Sequence, residues 1–145
     1  MHPYSPWADL ARRTDITVEY DLLPPDQDAV WIPHCRVIVL DRRLSQAERR
    51  CALAHELAHV DLGHEQTDDV HVAAAQEIAA DIGAARSLIP LADLIDALLW
   101  SQDHAQVAEY LWVDEATVRN RIRGLTDLEK DEIDRVLWEK ESQLP

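Results

Sequence analysis

Apolar residues along this chain first recur at every second position and then at every third or fourth. Ile16, Val18 and Tyr20 alternate with polar neighbours, the period-two mark of a half-buried strand, and Trp7 to Arg13 before them reads as a short helix. Pro24-Pro25-Asp26 predicts a turn, after which Ala29–Ile32 and Val37–Leu40 read as two more strands, with Pro33-His34 suited to a hairpin connection. Three short strands in succession predict a small antiparallel sheet. From Ser45 the spacing turns helical: Glu48 completes a capping box, and Leu53, Leu57 and Val60 follow at i, i+4 and i+7 up to an expected end near Gly63. A second helix is expected from about Val70 to Leu88, stopped by Pro90. Helical patterns then continue over Leu91–Trp100, His104–Leu111, Glu115–Arg123 and Asp127–Lys140, with Gly124 as a stop and Thr126/Glu129 as another capping box. The fold class read from this order is α+β: a sheet first, a helix carrying the motif described below, then a helical C-terminal region. The expected division is residues 1–100 and a smaller helical part, 101–145.

Composition narrows the function. Over 145 residues, 14 Lys and Arg face 28 Asp and Glu, a formal net charge of −14. Phosphate contacts need a local excess of positive charge, so DNA binding is disfavoured and a macromolecular partner is expected to be basic. The three glycines, Gly63, Gly83 and Gly124, stand apart from one another, which excludes a Gly-rich phosphate cradle. Asp9, Arg12, Arg13 and Asp15 occupy the region where a signal peptide carries its apolar core, and Pro90, Asp93 and Asp96 break the most apolar later stretch. No membrane association is expected. Two cysteines, Cys35 and Cys51, form no disulfide framework, which fits a reducing cytoplasmic setting.

The chemistry concentrates in His55-Glu56-Leu57-Ala58-His59. Residues four apart on a helix lie about 40° apart around its axis, with Cβ atoms roughly 5–6 Å apart, so two imidazoles so placed can reach one metal ion. Leu57 points about 200° away from His55, into the core, and Glu56 stands about 100° round, where a carboxylate can take a proton from water activated by a metal. A catalytic zinc needs a third protein ligand and an open position. The metzincin pattern does not continue here, since Leu62 and Glu65 stand where Gly and His are needed, with Gly63 and His64 each one place off. Asp61, His64, Glu65 and His71 remain physically possible ligands. Glu77 is the better candidate: it lies mid-way along the next predicted helix, among Ala73, Ala74, Ala80 and Ala84, small enough to allow close approach. Asp81, one turn on, is placed to accept the outer N–H of His55 or His59.

These residues resemble the ImmA/IrrE metallopeptidases, a gluzincin-type family of bacteria, phages and mobile elements. The resemblance is carried by Arg49-Arg50-Cys51-Ala52-Leu53-Ala54-His55-Glu56-Leu57-Ala58-His59 and by Glu77-Ile78-Ala79-Ala80-Asp81, running on to Ala84-Ala85 and Leu88-Ile89-Pro90. Gly83, Asp81 and Ser87 depart from the family's usual aromatic, Asn and Leu. The resemblance implies a zinc endopeptidase that cleaves a helix-turn-helix repressor in a phage or mobile-element immunity switch, with zinc on His55, His59 and Glu77, Glu56 as the proton-transferring residue and Asp81 behind a ligand. An oxyanion donor is also needed. His34 and Tyr110 are the leading candidates, with His71, His104 and Tyr20 beside them. Val37–Leu40 is a candidate edge for aligning an extended substrate.

Two other readings compete. A metal-containing antirepressor would act by binding its partner without cleavage. A DNA-binding regulator would use Gln106–Gly124, which looks like a helix-turn-helix carrying Arg119, Arg121 and Arg123. Residues 101–145 hold eleven acidic residues against six basic ones, which favours packing or protein docking for these helices. Trp31, Trp100, Trp112 and Trp138 are read as core or interface anchors.

Overall fold

In the computed structural model, residues 4–143 are described. Ser5 caps a short helix α1 (Pro6–Ala11), and three strands follow: β1 (Thr17–Asp21), β2 (Ala29–Ile32) and β3 (Val37–Asp41). The rest is helical: α2 (Gln46–Asp61), α3 (Val70–Leu88), α4 (Leu91–Trp100), α5 (His104–Leu111), α6 (Glu115–Arg123) and α7 (Asp127–Ser142). The α+β class and all the elements read from periodicity are present.

The sheet departs from expectation in one respect. Its strand order is β1-β3-β2; β2 and β3 form the antiparallel hairpin, but β1 runs parallel to β3, so the sheet is mixed. Alternation identifies strand residues without saying which edges pair. The chain leaves β1 through the Pro24-Pro25 turn and lays β2 on the far side of what becomes the central strand. Val37–Leu40 therefore has no free edge: β3 is hydrogen-bonded on both sides, and β2 is an outer strand.

Helix α2 is the hub. Its start is a capping box in which the Glu48 backbone N–H donates to Ser45 Oγ at 3.2 Å and the Ser45 N–H donates to Glu48 Oε1 at 3.0 Å. Leu53 and Leu57 pack on Ile16, Ile38 and Leu40 of the sheet region, forming one buried cluster. Cys51 and Ala54, on another face, join a second cluster with Ala84, Leu88, Leu94, Val107, Val113, Val118 and Ile133. A helix that is apolar on two faces is held from two sides. Leu53 is fully buried, so Leu53→Ala is expected to cost about 2–5 kcal/mol of stability, read by denaturant unfolding. The second cluster runs from α2 through α3 into α4–α7, so residues 101–143 pack on the preceding helices through one continuous apolar interior.

Two arginines are buried as struts. Arg50 donates to the carbonyls of Trp112 (3.1 Å) and Tyr4 (3.3 Å). Arg121 is 2% exposed; its Nε donates to the Ile89 carbonyl at 2.7 Å and its Nη2 to Glu129 at 3.2 Å. Glu129 also accepts from Arg86 at 2.9 and 3.2 Å and from the Thr126 backbone N–H at 3.0 Å. The Arg86 hydrogen bonds, then that of Thr126, hold the Glu129 carboxyl down at about 2. A carboxyl depressed in the fold contributes stability that is complete above its ordinary range and lost as pH falls through its folded value. Melting temperature is thus expected to fall between about pH 5 and pH 2, and Glu129→Gln to flatten that fall while lowering the plateau. An unchanged acid profile in the variant, followed by circular dichroism, would remove Glu129 from the account.

The tryptophans mostly lie at the surface. Trp100, Trp112 and Trp138 are 58%, 55% and 67% exposed, and Trp100 stacks on Tyr110 at 5.5 Å, so these three are not core residues.

Candidate metal centre

The metal-capable group is assembled by the α2–α3 pair, the most extensive helix contact in the molecule. Small side chains allow it: Ala54, Ala80 and Ala84 are buried around the crossing, and a Cβ on Gly83 would stand 3.8 Å from that of Ala58. With Leu53 and Leu57 committed to the sheet, His55 and His59 turn towards α3. His55 Nε2 lies 3.1 Å from Glu77 Oε2, His59 Nε2 lies 2.9 Å from Glu77 Oε1, and the two Nε2 atoms are 3.0 Å apart. Among the described residues, these three form the group able to share one ion.

The outer ring nitrogens decide what the inner ones can do. His55 Nδ1 donates to Asp81 Oδ1 at 2.9 Å, which leaves His55 Nε2 as a bare lone pair when the ring is neutral. His59 Nδ1 lies 2.8 Å from His64 Nδ1, so one of these two nitrogens carries the proton between them. With both Nε2 atoms unprotonated, two lone pairs and a carboxylate converge at about 3 Å, an arrangement that repels itself unless a metal ion or a proton lies between them. The spacing is close to the tetrahedral edge of about 3.3 Å for ligands about 2.0 Å from zinc. The donor set, two imidazoles and a carboxylate, is that of a catalytic zinc site with one position left open.

Electrostatics separates the two rings. Burial disfavours a charged His55, but its Asp81 hydrogen bond and the charges of Glu56, Glu77 and Asp81 outweigh this and raise its pKa. Burial, then the charge of His55, lowers that of His59. Glu56 is 7% exposed, and burial, with the Glu77 charge adding to it, pushes its carboxyl up to about 7. It lines both cavities that meet at the triad, of about 640 and 540 Å³.

The first cavity has Asp114, Thr117 and Asn120 in its wall, from the start and body of α6. The second is bordered by Ala29, Val30 and Trp31 of β2. Thus an outer strand and the C-terminal helices enclose the triad from different directions.

The sequence matches a family model described as the IrrE N-terminal-like domain, peptidase family M78, over residues 11–123. The chain belongs to this family. The solved structure of a Mycobacterium tuberculosis transcriptional regulator has the same fold, with a TM-score of 0.59 at 21% identity over 82% of this chain and 40% of that one. The M78 chain described here thus spans less than half the length of that regulator. No curated protein matches it.

For an M78 domain the remaining expected positions are informative. Glu77 and Asp81 fall where close helix approach requires them, one touching both imidazoles and the other behind His55. The oxyanion candidates do not gather there. His34 is exposed in the β2–β3 turn, and Tyr110 is 53% exposed against Trp100. Neither borders the two cavities, nor do His71 and His104 at the starts of α3 and α5, nor Tyr20 on β1, the edge of the sheet opposite β2. Of the alternative ligands, Asp61 pairs with Arg13 at 2.7 Å, Glu65 and His71 are exposed, and His64 stands behind His59. Periodicity gave no hint of His64, since it lies beyond the helix end.

Of the three arginines in the helix-turn-helix-like segment, one is buried and two are exposed but paired within the chain. Arg121 is buried, Arg119 pairs with Glu115 at 3.3 Å, and Arg123 lies 3.9 Å from Asp81 and donates to Asn120 at 2.9 Å. No described helix is long and apolar enough to cross a membrane.

Proposed function

We propose that this M78 chain is a zinc-dependent endopeptidase whose substrate is a basic helix-turn-helix repressor. The observation that carries the reading is the convergence of His55, His59 and Glu77 beside a buried Glu56 at the meeting of two open cavities. Bound zinc supplies a Lewis acid for the scissile carbonyl and makes water a nucleophile near neutral pH. Glu56 takes the proton of the attacking water and passes it to the leaving amine, a role suited by its buried position beside the triad at the meeting of the two cavities. Asp81 holds His55 in the tautomer that presents Nε2 inward. The acidic chain attracts a basic partner, and Arg121 of α6 is buried, which together speak against duplex DNA as the ligand. Free Cys35 and Cys51 fit a reducing cytoplasm.

Substrate alignment is assigned to β2. The Asp41 N–H donates to the Asp28 carbonyl at 2.8 Å, so residue pairs 28/41 and 30/39 are the hydrogen-bonded ones, and the backbone groups of Ala29 and Trp31 face outward. An extended peptide added there would lie along the cavities. Ala29→Pro removes one outward donor without touching the hairpin ladder, and is expected to lower kcat/KM by up to about tenfold, the worth of one hydrogen bond. Unchanged cleavage would move the substrate off this edge.

The direct test incubates the zinc-loaded chain with a basic helix-turn-helix repressor and follows the mixture by mass spectrometry. New internal termini that vanish with a chelator support the reading. A stable complex with both chains intact would replace it by an antirepressor acting through binding alone.

A further inference from the structure

The end of α2 does more than stop a helix. Leu62 is its C-cap, and Gly63 follows with φ +68, in the left-handed region. The Gly63 N–H donates to the Val60 carbonyl at 3.1 Å and the His64 N–H to the His59 carbonyl at 3.0 Å, the pair of bonds that defines a Schellman turn. Had the helix continued, residue 64 would lie about 140° round from residue 59 and more than one turn beyond it, out of reach of its ring. The reversal at Gly63 instead returns His64 over His59, with Nδ1 to Nδ1 at 2.8 Å.

We propose that His64 is a positioning residue for the metal centre, accepting the Nδ1 proton of His59 so that His59 Nε2 is presented to the ion as a fixed lone pair. This rests on the metal reading of the triad. The two ligand imidazoles are then oriented by different means: a carboxylate on α3 holds His55, and a neutral imidazole just past the helix holds His59. For His64 Nδ1 to accept, its own proton sits on Nε2. His64 grips residue 59 at two points, by a backbone bond to its carbonyl and a side-chain bond to its ring. Gly63 is the enabling residue: a Cβ there would meet nothing within 4 Å, so what a substitution disturbs is the left-handed backbone and not packing.

The test measures zinc affinity by competition with a chromophoric chelator, alongside the melting temperature of each metal-free protein. His64→Ala is expected to weaken zinc binding about tenfold, the lower end of what losing such a partner costs, with the metal-free melting temperature unchanged. His64→Asn, whose Oδ1 can occupy the place of the imidazole Nδ1 as an acceptor, is expected to recover affinity to within about threefold of wild type. Gly63→Ala is expected to weaken zinc binding while leaving the His64 ring in the sequence, because the turn that carries it is strained. Wild-type affinity in His64→Ala, or His64→Asn as weak as His64→Ala, overturns the role of His64 and leaves the triad standing. A wild-type chain that takes up no zinc overturns the metal reading itself, and this inference with it.

Discussion

Glu56→Gln is expected to stop peptide-bond cleavage while zinc stays bound. The amide keeps the volume and polarity of the carboxylate but cannot accept a proton, and transfers of this kind contribute about 10²- to 10⁴-fold to rate. Single-turnover cleavage should fall within that range, with the metal-to-protein ratio unchanged, because Glu56 is not among the three side chains that converge. Thermal stability should not fall, since an amide is less costly to bury than a carboxylate at a side chain only 7% exposed. A variant that still cleaves at more than a tenth of the wild-type rate would take the proton-transfer role away from Glu56. A variant that binds repressor without cutting it also gives the stable complex in which the substrate can be identified.

Glu77→Ala is the second large effect. It takes one of the three proposed ligands and the only carboxylate among them, leaving two imidazoles on α2. If zinc binds the folded site as proposed, saturation at about a hundred times Kd stabilises the protein by about 2.7 kcal/mol, or roughly 5–10 °C for a chain of this length. Wild type should lose that increment on chelation, and Glu77→Ala should melt at the same temperature with and without zinc. Removing the ion leaves His55, His59 and Glu77 about 3 Å apart with only protons to share between them, so the metal-free site is expected to be the least settled part of the α2–α3 interface. A zinc-dependent rise in melting temperature that survives in Glu77→Ala would mean that another side chain completes the site.

Some of this was legible in residue order and some was not. Periodicity placed the α2 capping box, the burial of Leu53 and Leu57, and the pair His55/His59 on the opposite face, because a helix converts spacing into direction over a few residues. Glu77 and Asp81 were reachable by one further step, since small residues around them predicted close helix approach and four-residue spacing put them on one face. The same local rules failed where partners are distant. Alternation in Val18 and Tyr20 identified a strand but not its parallel neighbour, and so Val37–Leu40 was assigned a free edge that the central position of β3 denies it. His34 and Tyr110 have suitable chemistry for an oxyanion, yet the turn after β2 and the Trp100 stack keep them away from the cavities.

What residue order determined by itself is therefore the helical part of the candidate metal centre: two imidazoles and a carboxylate on α2, and a carboxylate pair one turn apart on α3, each set by the 3.6-residue repeat. Tertiary structure alone decided that β2 is the outer strand beside the cleft, that α6 walls its other side through Asp114, Thr117 and Asn120, and that His64 comes back over His59. The first kind of information is carried by short-range backbone geometry. The second depends on which surfaces bury each other and on a single left-handed residue at Gly63, and neither leaves a period in the sequence.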